Sequence, residues 1–535
     1  MTSLRRATAV MTVGTVFSRI TGVLRLAAVL GALGVVSQGR LADTYNIGNT
    51  APNIIYELVL GGVITSVFVP IFVELLETEG RERAWEVASA IINLTIVALT
   101  AMTILGILAA PLIAKFYASS LHGAAAAEQQ HVLTFLLRLF IPQIIFYGIY
   151  SVTAGLLNAH RRFGPPMYTP ALGNVAVIVI FVAFYFAYGA VGGLSQVSNW
   201  QLILIGGGTT LGIVLQALTQ LPFMRGLGRY RATLSVRHPS IRKLGRLAVF
   251  VIGYVVVNQI GYLVVQKLAD AQLGGYTAYA AAFTFYMLPH GLFAVSVATA
   301  LLPEMSAHAV NDRWDLYRDR LSTGMRTTLL LILPAAVGYF VLATPIIRLL
   351  LEHGVMQASD VDLVARVLRY FVLGLVSFSL FQLLLRAFYA LQDTRTPFLI
   401  NCWWLAVNIG VNFPLFFWFR SRGGGVEGLA LGHAIAYTVG TVLLWRALSK
   451  KAGGISGAKF FASAGRITAA AAGMGAAVWA TYAGLTRVLP AGSAGDLVEV
   501  IVPVTVGVGC YLGLALAFSV EELAFVKGIV GRRGR

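Results

Sequence analysis

Seven polar side chains in the first 57 residues have the types and spacing to do chemistry: Arg19, Arg25, Asp43, Asn46, Asn49, Asn53 and Glu57. Both arginines lie inside an apolar run from Ala7 to Leu33, in the string S-R-I-T-G-V-L-R. An arginine at the centre of a bilayer costs roughly 2.5–3.5 kcal/mol on insertion scales, so two on one run call for a wet or paired environment. Six positions place them about 9 Å apart along a helix and about 120° apart around it. They cannot share a narrow seam, but both can border a wide cavity. Guanidinium groups make bidentate contacts to phosphate oxygens, which favours an anionic, phosphate-bearing ligand over a cation.

The other five follow in D-T-Y-N-I-G-N-T-A-P-N-I-I-Y-E, from Asp43 to Glu57. At about 100° per residue they share, with Thr50, one face about 120° wide. An apolar face lies opposite, and Pro52 is placed to bend the segment. An interhelical hydrogen-bond seam would carry such a stripe. Two carboxylates and three amides exceed what packing needs, and the stripe reads as the wall of a water-filled cavity.

Long apolar helices must position these groups. The 535-residue chain is 58% hydrophobic and 12% charged, against about 25% charged in soluble domains. Apolar stretches long enough to cross a hydrocarbon core of about 30 Å recur from end to end. The alternation of a membrane barrel is absent, so the fold class is an all-α polytopic membrane protein with about fourteen transmembrane helices. The second, seventh and thirteenth spans are placed at about 41–76, 245–268 and 465–486. The first run is too long for a signal peptide, carries two arginines and lacks a small-residue cleavage site.

With the N-terminus inside, 26 Lys and Arg fall in inner segments and 7 in outer ones. That bias predicts both termini in the cytoplasm of a cell whose inner membrane holds the chain. It also places most of the net charge of +18, and nucleic-acid binding becomes unnecessary. A repeat is visible at an offset of 231: L-R-L-F from Leu137 matches L-R-Y-F from Leu368, Ala159 matches Ala390 and Pro166 matches Pro397. An offset of six spans keeps one orientation, so the halves form a parallel pseudo-repeat. The expected domains are an N-lobe over 1–225, a cytoplasmic linker over 226–246, a C-lobe over 247–451, and two further helices with a basic tail over 452–535.

Covalent chemistry has no visible home. Cys402 and Cys510 fall in separate spans, and no HExxH, Walker A loop or nucleophile elbow occurs. The chain reads as a transporter without catalytic residues, metal or cofactor. Asn258 in span seven with Asn408 and Asn412 in span eleven could form an ion site, and a helix–helix hydrogen-bond network fits them as well. Arg138 and Arg369 read as snorkelling residues, His290 and His433 as packed ones. The stretch Y-A-A-A-F-T-F-Y-M-L-P-H-G-L-F-A-V-S of span eight, the repeat partner of span two, carries no acidic or basic residue apart from His290. A charged first lobe facing an apolar second one suits an amphiphile with a polar head and a lipid tail.

The strings F-S-R-I-T-G-V-L-R, A-D-T-Y-N, A-P-N-I-I-Y-E, F-V-P-I-F and A-L-Q-D-T-R-T-P resemble the MurJ/MviN lipid II flippases of the MOP exporter superfamily, especially their actinobacterial branch. The resemblance covers nearly the whole chain. It implies two six-helix lobes around a central cavity, two extra helices forming a lipid-facing groove, and alternating access that carries lipid II from the cytoplasmic to the outer leaflet. Arg19, Arg25 and Asp43 match essential cavity residues of that family, and Asn258, Asn408 and Asn412 match its sodium site weakly. Three positions depart from the family pattern. Leu26 stands where many members have an acid, Tyr56-Glu57 replaces an Arg pair, and Phe283-Thr284 replaces Asp-Arg.

The resulting expectation is a lipid II flippase of peptidoglycan and cell-wall synthesis, driven by sodium or proton coupling or by the membrane potential. Its partners would be lipid II, membrane lipids, and cell-wall or division proteins at the cytoplasmic loops. A MATE-like drug exporter or another lipid-linked oligosaccharide flippase is the alternative within the superfamily. A non-transporting scaffold for cell-wall proteins is the alternative outside it.

Overall fold

The computed structural model describes residues 2–60, 69–119, 121–160, 162–233, 239–454, 457–489 and 492–523. Among them every regular element is helical, as backbone groups in lipid require. The first block contains α1 (Thr2–Leu33), α2 (Leu41–Leu60), α3 (Val69–Thr78), α4 (Gly80–Ala118), α5 (Ala124–Phe140), α6 (Gln143–Ala159) and α7 (Gly164–Tyr188). The short α8 (Asn199–Leu202) runs through a π turn into α9 (Gly208–Leu218). The second block contains α10 (Pro239–Asp270), α11 (Gly275–Pro289), α12 (Val295–Val310), α13 (Trp314–Leu351), α14 (Ala358–Val372), α15 (Leu375–Ala390), α16 (Arg395–Arg420) and α17 (Val426–Lys451). Then come α18 (Gly457–Leu485) and α19 (Ser493–Ala517).

The repeat is written in helix lengths. α4 to α7 have 39, 17, 17 and 25 residues, and α13 to α16 have 38, 15, 16 and 26. Ten helical segments among the described residues are long and apolar enough to cross a membrane, and the α14–α15 pair, bent by 50°, makes eleven. The second, seventh and thirteenth expected spans are not among these. α2 is diluted by its polar stripe, and α18 is built largely of Ala and Gly. Residues 61–68 of the second span and 234–238 of the expected linker lie outside the described residues.

The chain forms two compact units, Met1–Thr277 with His353–Gln357, and Ala278–Glu352 with Ala358–Arg535. In the first, Tyr45 of α2 is buried between Phe140 of α5 and Phe181 of α7, with edge-on ring contacts at 5.5 and 5.3 Å. Such contacts fix the rotation of α2 about its axis, and therefore where its polar stripe points. α7 and α9 approach closely because both contact positions are glycine: a Cβ on Gly173 would lie 3.0 Å from the Gly212 carbonyl oxygen. The segment 353–357 ties to the end of α1, where Val355 N–H donates to Gly31 O at 2.8 Å.

In the second unit, α13 kinks at Leu342, three residues before Pro345, which cannot donate to the helix ladder. Arg369 answers the kink. Its guanidinium donates to the Phe340 carbonyl at 3.3 Å and to Thr344 Oγ1 at 2.9 Å. The turn A-L-Q-D-T-R-T-P is closed by Asp393, which accepts from Thr396 N–H at 3.0 Å and from Lys451 Nζ at 2.7 Å. α13 is tied to the chain just past α19 by Arg326 and the buried Glu522, 2.7 Å apart, with Ser463 of α18 donating to the same carboxylate at 2.9 Å.

The break between α14 and α15 is at Gly374, where an added Cβ would sit 2.5 Å from Ala434 Cα in α17. That backbone cannot yield cheaply, and overpacking of this kind costs about 1–3 kcal/mol. Gly374→Ala is therefore expected to lower the thermal unfolding midpoint of the purified protein by several degrees. Gly410→Ala, where the new methyl meets nothing within 4 Å, is expected to leave it unchanged or raise it. Equal midpoints for the two variants would contradict the packing.

Candidate functional site

The polar stripe of α2 divides into two halves with different work. At the N-terminal end, Asp43 is fully buried, and its oxygens accept from Gly274 N–H at 2.8 Å and Thr277 N–H at 2.9 Å. The first amides of a helix have no partner within it and carry a partial positive charge. Asp43 thus closes the open end of α11 from a different helix. Asn46 adds Nδ2–H to Thr277 Oγ1 at 3.1 Å. Thr50 donates to Asn46 O and meets Tyr276 Oη, both at 2.8 Å, and Tyr276 Oη in turn meets Tyr262 Oη at 2.6 Å. This half is committed to holding the α10–α11 turn.

The second half is less satisfied. Asn49 Oδ1 is buried without a hydrogen-bond partner, and Asn53 Nδ2 reaches Asn49 O only at 3.5 Å. Tyr56 pairs with Ser151 of α6, and Glu57 is exposed. Arg25, half-buried on α1, brings its guanidinium beside the hydroxyl of Tyr45 and within electrostatic reach of that of Tyr147, and Tyr147 also faces Asn53. Tyr45 Oη bonds Thr209 Oγ1 at 2.7 Å, and Gln143 Nε2 donates to Thr210 Oγ1 at 2.9 Å. No described carboxylate forms an ion pair with Arg25. The groups found near this cation are neutral tyrosine hydroxyls.

Arg19 lies exposed on α1. Arg25 therefore gathers the polar groups, whereas Arg19 stands apart from them. Sequence reasoning missed Tyr45, Gln143 and Tyr147, whose signal is a polar atom recurring in runs that otherwise need none. In the second unit, Asn412 Nδ2 donates to Asn408 Oδ1 at 2.9 Å, and Asn412 Oδ1 is pressed against Gly432, where a Cβ would come within 2.0 Å. Asn258 belongs to the first unit. Phe283 packs against Phe371 and His433 at 5.6 and 5.8 Å, and Thr284 donates to its own helix at Ala280 O. Those two positions, charged in many members of the resembled family, are here part of an aromatic cluster and a helix wall. His433 is packed among Phe283, Tyr286, Phe371, Phe378 and Tyr437, and His290 Nδ1 meets Ser379 Oγ at 3.1 Å.

The family model described as "Lipid II flippase MurJ" matches residues 27–499. The chain is 28% identical over 486 residues to the probable lipid II flippase MurJ of Haemophilus influenzae, covering 87% of this chain and 90% of that one. It is 29% identical over 451 residues to the lipid II flippase MurJ of Burkholderia cenocepacia, covering 82% of each. Among solved structures, an inward closed lipid II flippase MurJ superposes with TM-score 0.76 at 23% identity, covering 96% of this chain and 99% of that one. An inward-facing MATE family transporter of the MOP superfamily gives 0.63 at 15% identity, covering 84% and 98%. These two likenesses show a shared fold.

The division of the stripe can be measured. Asp43→Ala leaves two buried amide donors without an acceptor, and each such loss costs about 1–3 kcal/mol. Its unfolding midpoint is expected to fall well below that of Arg25→Ala, which takes no acceptor from a buried amide and should stay within about 0.5 kcal/mol of the parent. A destabilised Arg25→Ala beside an unaffected Asp43→Ala would reverse the assignment.

Proposed function

The chain belongs to the lipid II flippase MurJ family, and from that premise we propose that Arg25 is the anion anchor of a lipid II flippase. The observation that carries the reading is a guanidinium in an apolar helix, free of carboxylate partners among the described residues and faced by the hydroxyls of Tyr45 and Tyr147. A pyrophosphate supplies the acceptors that such a group lacks. Neutral donors around it, among them Asn53 and the tyrosines, suit phosphate and sugar oxygens and place no negative charge in the way. Arg19, exposed on the same helix, is a second cation for the headgroup, and Asn49, Asn53 and Glu57 continue the hydrogen-bonding surface. Asp43 and Asn46 serve the site by fixing the α10–α11 turn.

The lipid-linked precursor would move from the cytoplasmic to the outer leaflet by alternating access, with both termini cytoplasmic. Binding and release, with no bond made or broken, are all the chemistry this requires. The driving force would be an ion gradient or the membrane potential. A MATE-like exporter of cationic drugs shares the fold, but an unpaired arginine repels such a substrate. A protein scaffold has no use for an unpaired intramembrane cation.

A charge-assisted hydrogen bond contributes about 1.5–3 kcal/mol. Arg25→Ala at normal expression is therefore expected to weaken binding of undecaprenyl-pyrophosphate lipids by roughly ten- to a hundredfold. It should also fail to support growth when the native flippase is depleted. Arg25→Lys keeps the charge without the fork and should fall between. Full complementation by both Arg19→Ala and Arg25→Ala would sink the cationic-anchor reading.

A further inference from the structure

A second polar cluster, at the α10–α11 turn, has a defect that the anchor site does not explain. Asp270, the last residue of α10, is fully buried, and so is Gln129 of α5. Gln129 Nε2 donates to Asp270 Oδ1 at 2.9 Å. The two oxygens left over, Asp270 Oδ2 and Gln129 Oε1, are both buried and both without a hydrogen-bond partner. Two acceptors on groups already bonded to each other have no donor between them. An unmet buried acceptor is costly, and a charged one more so.

The cations nearby do not repair this. Arg40 donates to the main-chain oxygen of Asp270 at 2.7 Å and lies 3.5 Å from Oδ1, the carboxylate oxygen that Gln129 already serves. Lys267 has three donors, and they go to Phe116 O, Tyr117 O and Ser119 Oγ. Asp43 adds a second acid within electrostatic reach. The remaining titratable groups facing the cluster are Tyr117 of α4, Tyr262 of α10 and Tyr276 of α11. Two buried acids thus stand against one closely placed guanidinium.

We propose that Asp270 is a proton-binding site of the transport cycle, its proton carried on Oδ2 and shared with Gln129 Oε1. A carboxylic acid and a primary amide joined in this way make two hydrogen bonds in one ring, and both orphaned oxygens are satisfied by a single proton. Exchanging the O and N of the Gln129 amide gives the same ring, with the proton on Oδ1 in place of Oδ2. A metal cation fits less well, because hard cations take about six or more oxygens and the orphans here number two. Releasing the proton leaves a carboxylate whose charge Arg40 must balance. Arg40 stands one residue before α2 and Asp270 ends α10, so the protonation state acts on the same turn that Asp43 holds through Gly274 and Thr277. The role in transport rests on the flippase reading, but the proton site itself does not.

Infrared difference spectra of the full chain in lipid nanodiscs, titrated from neutral to alkaline pH, test it. The expected result is a carbonyl band of a protonated carboxylic acid at neutral pH that is lost in Asp270→Asn, retained in Asp43→Asn, and shifted to higher frequency in Gln129→Leu. Because Asp270→Asn could fail to fold, the Gln129→Leu shift stands as an independent readout. A band absent from the parent, a band that disappears with Asp43→Asn alone, or one removed by sodium at constant pH would overturn the proton site. In cells, Asp270→Asn is expected to flatten the pH dependence of lipid II exposure. An unchanged pH dependence would remove the site from the cycle, and a band that persists in a chain that moves no lipid II would sink the flippase reading alone.

Discussion

The structure of the first unit depends on one carboxylate closing one helix. Asp43 sits near the start of α2 and takes the free amides of Gly274 and Thr277 at the start of α11. In a protein that lies in lipid, an open helix end has no water to fall back on, so a partner must come from the chain. Gly274 is 231 residues beyond Asp43, and Thr277 is 231 beyond Asn46. That spacing is also the offset of the internal repeat, so α2 meets its own repeat counterpart at equivalent positions. The acid occurs on one side only. A duplicated helix pair has thereby become an asymmetric contact in which one copy supplies charge and the other supplies amides.

With α2 held in this way, the aromatic contacts of Tyr45 fix its rotation and set its hydroxyl near Arg25. The arginine itself is tolerated because its neighbours are polar without being charged. A carboxylate beside it would be the cheaper arrangement for stability, since a buried cation is costly when unpaired. No carboxylate pairs with it among the described residues, and the proposed anion site rests on that. The two residues play different parts although both are charged groups in apolar helices: Asp43 meets buried amides, and Arg25 lies near neutral hydroxyls.

Much of this was legible in the sequence. Apolar runs announced the helices, and the 231-residue offset announced the repeat, which the matched lengths of α4–α7 and α13–α16 display. Periodicity put Asp43, Asn46, Asn49, Asn53 and Glu57 on one face, but it could not say what the face met. Asp43 and Asn46 meet amides and a hydroxyl more than two hundred residues away, and no local pattern reports that. Gln129 and Asp270 were invisible for the same reason. Each is unremarkable in its own segment and acquires meaning only from the partner it lacks. Arg19 and Arg25 looked equivalent in sequence, and their surroundings separate them.

We propose that this chain carries lipid II across the membrane with Arg25 holding its pyrophosphate. The most direct measurement is the fraction of lipid II accessible from outside cells depleted of their native flippase. The parent chain should restore that fraction to its undepleted level, and Arg25→Ala, expressed equally, should leave it near the depleted value. Restoration by Arg25→Ala would contradict the role of Arg25, and no restoration by the parent would contradict lipid II transport.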